Sequence, residues 1–322
     1  MIAHWDDVKR VQREFGFLRS TWQNLGGAAG SISIGVQRIE LDAGGISTPV
    51  HVHAQEEEIF YVLGGTGLSW QDGATYEVGP GDCLVHTVLT EAHTLRGGPD
   101  GLDVLAFGER EKGWSAHLPR AGVSWLFPSW VETGAAPPPW EREVASGEPE
   151  FPEPSERPDW IVAAEQVAAF EGGRGAAAYR GRDLGRAGGS ERTGLKLYEL
   201  APGKMGPAPH CHSAEEELFV VLEGEGRLVL IGAGGTRGTV PQPATREEHV
   251  IRRGHVVSRP AGTRVAHAFV AGATGLKYLA YGTRDPRDIA YYPRSNKIYF
   301  RGAGVIARLE ELDYWDGEDK PL

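Results

Sequence analysis

Short runs of Val, Ile, Leu, Phe and Tyr alternate with Gly-rich turns along the whole chain. In the first half they are Ser31 to Leu41, Glu58 to Leu63, Thr75 to Val78 and Leu102 to Phe107. In the second half they are Leu195 to Leu200, Leu218 to Leu222, Arg227 to Ile231 and Leu276 to Tyr281. Many short strands between turn signals predict a small barrel or sandwich. Helix is expected only around Asp6 to Glu14 and Ala163 to Ala169, so the fold class is all-β with few short helices.

The two halves repeat one another. A shift of 159 lays Gly26, Gly30, Ser31, Gly35, Glu40 and Leu41 on Gly185, Gly189, Ser190, Gly194, Glu199 and Leu200. The same shift carries His51, His53, Glu58, Phe60, Gly65 and Gly67 onto His210, His212, Glu217, Phe219, Gly224 and Gly226. Beyond these the shift becomes 174, with His93 on His267, Gly108 on Gly282, Arg110 on Arg284 and Pro119 on Pro293. The fifteen extra residues of the second copy fit the Gly/Pro-rich stretch Gly232 to Arg246 as a lengthened hairpin loop. Two copies of this size indicate duplicated domains rather than a solenoid, whose repeats run ~20–50 residues. The expected boundaries are an N-terminal domain 1–134, a Pro/Glu-rich linker 135–158, and a C-terminal domain 159–322 with a C-terminal arm.

Composition agrees. The 322 residues exceed one typical domain of ~100–200 residues, and 45 Gly with 21 Pro suit a turn-rich globular protein. A net charge of -11 leaves no basic surplus for phosphates, so nucleic acid and anionic membranes are not expected partners. Neither a leader-like apolar run nor a stretch of ~18–20 apolar residues occurs, and the expectation is a soluble, cytoplasmic chain. Cys83 and Cys211 are read as two reduced thiols.

The chemical signal lies in the histidines. His51-Val-His53 followed by Glu58, and His210-Cys-His212 followed by Glu217, each put two imidazoles on one face of a strand. His93 and His267 supply a third imidazole from a later strand. Three imidazoles and one carboxylate suit Mn, Fe, Co, Ni, Cu or Zn and are too rich in nitrogen for Mg or Ca. Cys211 should face away from its neighbours and serve packing. Glu56, Glu57, Glu215 and Glu216 read as charged, solvated turns. Arg96 and Arg264, near the third histidines, are candidates to clamp a substrate anion, with a salt-bridge role as the plainer reading. The aromatic stretch Asp285 to Asp316 reads as an arm covering a barrel, or as a substrate lid using Arg294, Asn296 or Lys297.

The pattern Gly45, His51, His53, Glu58, Gly65 resembles the first motif of the cupin superfamily in full. The second copy matches it through His210, His212, Glu217 and Gly224, with Gly203 one place further out. Gly254, Pro260, Gly262 and His267 resemble the second motif with a longer last spacing; in the first copy His86 aligns with Pro260, and Gly97 takes the place often held by Asn. The resemblance covers residues 28–110 and 187–284. It implies a two-domain bacterial bicupin: tandem jelly-roll-like, double-stranded β-helix barrels, each holding one divalent transition metal.

As implied by that resemblance, the function is a metal-dependent enzyme acting on a small polar or carboxylated metabolite, with an oxygenase or other oxidoreductase favoured. A sugar isomerase or epimerase and a non-catalytic small-molecule binder are the alternatives. Oxalate is disfavoured, because Ser47 to Val50 and Gly206 to Pro209 hold no arginine ahead of either His-x-His. Both ligand sets are intact, which argues against a storage role. Self-association as a homodimer is left open by the sheet edges of such barrels.

Overall fold

The computed structural model describes residues 1–110, 115–126, 129–132, 139–237, 240–310, 312 and 315–317. Strand accounts for 55% and helix for 6%, as the alternation of short apolar runs and turns requires. One eight-stranded antiparallel sheet is ordered Ile161–Ala163, Asp82–His86, Glu58–Gln71, His93–Glu109, Ile34–Leu41, Leu18–Gln23 and Val11–Phe15, with Ala74–Val78 also on Glu58–Gln71. The other repeats it: Ile2–His4, His255–Arg259, Glu217–Gly232, Val265–Thr283, Thr193–Leu200, Tyr179–Asp183 and Ala169–Gly172, with Thr245–Arg252 on Glu217–Gly232.

The outermost strands are exchanged. Ile2–His4 pairs with His255–Arg259 of the second unit, and Ile161–Ala163 pairs with Asp82–His86 of the first. Between the units lies a shared apolar core that includes Ile34, Val36, Leu105 and Phe107 from one side and Leu195, Leu197, Leu279 and Tyr281 from the other. Each unit also has a core of its own, around Ile39, Phe60, Leu84 and Val104 in the first and Phe219, Val257, Phe269 and Tyr278 in the second.

Several expected runs are pieces of longer strands. Leu218 to Leu222 and Arg227 to Ile231 belong to the single strand Glu217–Gly232, which bends at register shifts between Val221 and Glu223 and between Gly224 and Gly226. Glu58–Gln71 bends at the equivalent places. The glycines make the bends feasible. Gly65 and Gly224 have φ of +73° and +75°, and a Cβ on either would overlap the carbonyl of Gly101 or Gly275.

The longer second copy does carry an extended hairpin region, with Gly235–Arg237 paired to Val240–Gln242 before Thr245–Arg252; residues 238 and 239 lie outside the described residues. The helix expectations are corrected. Asp6 to Glu14 forms only a 3-10 turn at Trp5–Asp7 and then the strand Val11–Phe15, and Ala163 to Ala169 is not helical. Helices instead occupy Leu25–Ala28, Leu184–Ala187 and Pro139–Ala145. The first two start where Asn24 and Asp183, equivalent positions of the repeat, accept the N–H groups of Gly27 and Arg186.

The linker 135–158 is tied down where it is described; residues 135–138 lie outside the described residues. It carries the helix Pro139–Ala145 and then runs along the first sheet. Trp70 Nε1 donates to the Glu150 carbonyl at 2.8 Å, Thr75 Oγ1 donates to that of Pro152 at 2.7 Å, and Arg157 pairs with Asp82.

A four-stranded sheet of Val52–His53, Ser115–Leu118, Val123–Leu126 and Ser129–Glu132 covers the first unit beside its His-x-His. Its counterpart is Cys211–His212 with Ile289–Tyr292, Lys297–Phe300 and Val305–Arg308. The arm expected from Asp285 to Asp316 is thus a sheet, with residues 311, 313 and 314 outside the described residues. Among the described residues, no helix is long and apolar enough to cross a membrane.

Candidate metal centres

Two cross-strand contacts bring each histidine trio together. His51 faces His93, and His210 faces His267, in isolated antiparallel bridges. Glu58 and Glu217 open the long strands that pair with the same neighbours, so each carboxylate lands among the imidazoles. In the first unit, Glu58 Oε2 lies 3.0 Å from His93 Nε2, 3.3 Å from His53 Nε2 and 3.7 Å from His51 Nε2. In the second, Glu217 Oε2 lies 3.3 Å from His212 Nε2 and 3.1 Å from His267 Nε2. His210 completes that cluster, its ring centroid 4.9 Å from those of His212 and His267.

The other nitrogens fix the rings. His51 Nδ1 donates to the Pro49 carbonyl at 2.9 Å and His210 Nδ1 to that of Ala208 at 2.7 Å, which leaves the Nε2 lone pairs facing the clusters. His53 Nδ1 lies 2.8 Å from Glu56 Oε1, and His212 Nδ1 lies 2.6 Å from Asp288 Oδ2. A carboxylate behind a metal-binding imidazole orients the ring and raises its basicity. Glu56 is thus drawn out of the solvated run in which sequence placed it. Asp288 was missed altogether, because it lies 76 residues from His212 in sequence.

The electrostatics suit a cation. Burial pushes the His53 pKa down, but Glu56 and Glu58 outweigh it and carry it up to about 10. Burial likewise opposes, and Glu217 and Asp288 overcome it, to bring His212 to about 10. Burial and the neighbouring His267 lower His210 to about 4. Burial would raise Glu58 and Glu217, yet their histidine neighbours hold both well below the ordinary glutamate value. His212 Nε2, Glu217 Oε2 and His267 Nδ1 are buried without a hydrogen bond. A divalent cation among these atoms would satisfy the first two, displace protons from the imidazoles and accept all four donors, so the residues fit a transition metal.

In the first unit His86 stacks on His93, centroids 3.9 Å apart, and its Nδ1 lies 2.5 Å from Glu91 Oε1. Strand register sets His86 opposite Glu58 and Arg259 opposite Glu217, so the counterpart of His86 is Arg259 rather than Pro260.

The two candidate arginines are placed differently. Arg96 stands three residues after His93 on the same strand, an odd offset that turns it to the opposite face, and Arg264 lies just before the strand of His267. Arg96 reaches Glu148 at 3.6 Å and covers the Phe151 ring, and Arg264 sits at a φ of +57° beside Ser213 and Tyr291. Neither lines the two cavities that hold the full clusters, although Arg264 lines a separate groove that reaches His212. The candidate lid residues lie on the arm, with Asn296 in the groove that reaches His212. Asn296 accepts from Tyr291 Oη and donates to the Leu309 carbonyl, Lys297 lies over the Tyr292 ring, and Arg294 is exposed. Arg301 is the arm residue that enters the second cavity, where it pairs with Glu215. Cys211 faces away from the cluster as expected, buried against the Tyr291 carbonyl, and burial raises its thiol to about 11.

The two cavities differ. The first, about 550 Å³, is lined by aromatic groups including Trp22, Phe60, Trp130 and Trp140. The second, about 190 Å³, holds Lys196, Tyr198, Tyr278 and Arg301 around His210, His212, Glu217 and His267.

Comparison with known proteins supports the architecture. Residues 37–93 and 196–280 match the family model described as the cupin domain, spans that contain all eight residues of the two clusters. A search of curated proteins finds no match. Similar solved structures include an oxalate decarboxylase from a study of its substrate binding mode, 14% identical over 87% of this chain and 76% of that one, with a TM-score of 0.57. A Lactobacillus farciminis oxalate decarboxylase formate complex is 12% identical over 89% and 87%, with a TM-score of 0.57. A Bacillus subtilis oxalate decarboxylase studied for its Mn(II) centres is 15% identical over 87% and 76%, with a TM-score of 0.56. At such identities the likeness is one of fold. With two matches to the cupin-domain model, a visible duplication and a similar fold over most of its length, this chain carries two cupin domains in tandem.

Proposed function

We propose that the protein is a metal-dependent enzyme with one divalent transition metal in each unit, held by His51, His53, Glu58 and His93 and by His210, His212, Glu217 and His267. The observation that carries this reading is the convergence of three imidazoles on Glu58 Oε2 within 3.0–3.7 Å, with His212 and His267 at 3.3 and 3.1 Å from Glu217 Oε2 and His210 beside them in the second unit. The Mn(II) centres named for a similar structure support a divalent metal. When bound, such a metal supplies Lewis-acid or redox chemistry at the coordination positions its protein ligands leave open.

The chain's own residues do the rest. Pro49 and Ala208 carbonyls and the Glu56 and Asp288 carboxylates hold the imidazoles in one tautomer and one orientation. The aromatic walls keep water away from the reacting groups, and a cavity of this size accepts a small polar or carboxylated metabolite. The reaction class is that of an oxygenase or other oxidoreductase. Missing arginines ahead of both His-x-His pairs argue against oxalate itself. The same reading takes 1–134 and 159–322 as the two metal-bearing units joined by 135–158, in a cytoplasmic protein that forms a homodimer.

The test is elemental analysis of untagged protein, with the paired changes His51→Ala/His53→Ala and His210→Ala/His212→Ala. The expected result is about two metals per chain, falling to one in either pair. Iron would direct the assay to oxygen consumption with candidate carboxylates. A chain that neither contains nor takes up metal overturns the proposal.

A further inference from the structure

Strand Thr193–Leu200 alternates in its duties. Leu195 and Leu197 enter the core shared by the two units, while Gly194, Lys196 and Tyr198 face the second cavity. The equivalent face of the first unit carries Gly35, Gln37 and Ile39. At equivalent backbone positions, therefore, the second unit has exchanged an amide for an ammonium and an aliphatic group for a phenol.

Three cations line this cavity, and two are already engaged. Arg284 is held by Asp183 at 3.2 Å and by the Ser190 carbonyl, and Arg301 is paired with Glu215. The Lys196 ammonium makes no ion pair or hydrogen bond among the described residues. An ammonium on a partly buried wall, deprived of some of its water and given no counter-charge, is an unfavourable arrangement unless a ligand completes it. Beside it stand Tyr198 and Tyr278, their rings stacked with centroids 5.3 Å apart, also on the cavity side. The volume of about 190 Å³ falls below the ~300–1,000 Å³ of drug-sized sites, which limits the ligand to a few heavy atoms beyond its anionic group.

We infer that the second cavity binds a small carboxylate, with the Lys196 ammonium as the group that holds the carboxylate and distinguishes this cavity from the first. The inference rests on the reading of His210, His212, Glu217 and His267 as a metal centre, toward which the rest of the ligand would point.

The test is calorimetric titration of the metal-loaded full-length protein with malonate and with its neutral isostere malonamide, with metal per chain measured on every sample. Wild type should bind malonate at least ~10-fold more tightly than malonamide, as a charge-assisted contact implies. Lys196→Gln, which installs the amide of Gln37, should erase that preference at unchanged metal content, and Lys196→Arg should retain it. Equal malonate affinity in wild type and Lys196→Gln overturns the inference, as does a wild type that binds malonate no better than malonamide. Metal content reads the underlying site separately: if His210→Ala/His212→Ala leaves it unchanged, the metal reading fails whatever Lys196 does.

Discussion

Thr193 gives both its backbone N–H and its hydroxyl to the Glu57 carboxylate, at 3.0 and 2.9 Å, across 136 residues of sequence. Glu191, Arg192 and Ser190 add three more donors to the same group. The repeat makes the reciprocal bond: Glu216 accepts from the backbone of Ile32 and Ser33 and from the hydroxyls of Ser33 and Ser258. Each clasp carboxylate is the immediate neighbour of a cluster carboxylate, Glu58 or Glu217, so the contact that joins the units also anchors the start of a site strand.

Replacing Glu57 by Gln should therefore destabilise the protein by about 1–3 kcal/mol, because charge-assisted bonds are lost and an amide nitrogen is turned toward donors. The acid limb supplies the sign. Burial would raise the Glu57 pKa, but its N–H and hydroxyl donors hold it below the ordinary 4.5. Its stabilisation is then complete above the unfolded value and lost as pH falls through the lower, folded one. Urea melts at pH 7 and pH 3.5 should show the gap between wild type and Glu57→Gln narrowing in acid. A constant gap would remove the charge from the explanation.

Gly65→Ala and Gly224→Ala should each cost about 2 kcal/mol or more, since both a positive φ and an overlap with a facing carbonyl must be relieved by moving backbone. Gly64→Ala is the internal control, because a Cβ there meets nothing within 4 Å. Thermal denaturation decides it. Equal melting temperatures for the alanine variants at 64 and 65 would refute the bulge argument.

Much of this molecule was legible because duplication doubles every signal. His51, His53, Glu58 and His93 could be read as one constellation before any contact was known, since the first three recur in the second half at a shift of 159 and His93 at 174. What stayed hidden depends on tertiary contact. Glu57 and Glu216 look like members of solvated charge runs, and only the partner unit's turn shows why they are buried. Asp288 reaches His212 through the arm sheet, whose pairing no local pattern announces. Arg96 was drawn toward the histidines by proximity in sequence, although strand alternation turns it away, and Arg264 sits at a left-handed position ahead of its strand.

Removing the carboxylate behind one imidazole should weaken one centre and spare the other. Asp288→Asn is expected to lower metal affinity in the second unit about 10–100-fold, and Glu56→Gln to do the same in the first. Asp288 also accepts the N–H groups of Ser213, Ala214 and Glu215, so its amide variant should lose some local order as well. Competition with a chromophoric chelator would resolve the two affinities. Equal weakening of both sites by either change would contradict the assignment of these carboxylates to separate rings.

The exchanged strands and the shared core make a prediction about folding. A fragment ending at Gly147 lacks Ile161–Ala163, the strand that pairs with Asp82–His86, and a fragment starting at Glu148 lacks Ile2–His4, the strand that pairs with His255–Arg259. Each would also expose its half of the core around Phe107 and Tyr281, whose rings lie 5.1 Å apart in the intact chain. Apolar surface of that extent is lost from burial at roughly 25 cal/mol per Å², so neither fragment should fold cooperatively alone. Mixed or co-expressed, they should recover a one-to-one complex that regains its cluster geometry and melts as a unit, because the missing link lies in the connector and not in either sheet. Two fragments that each give a sharp thermal transition in isolation would show that the units are independent and that the exchange is decoration.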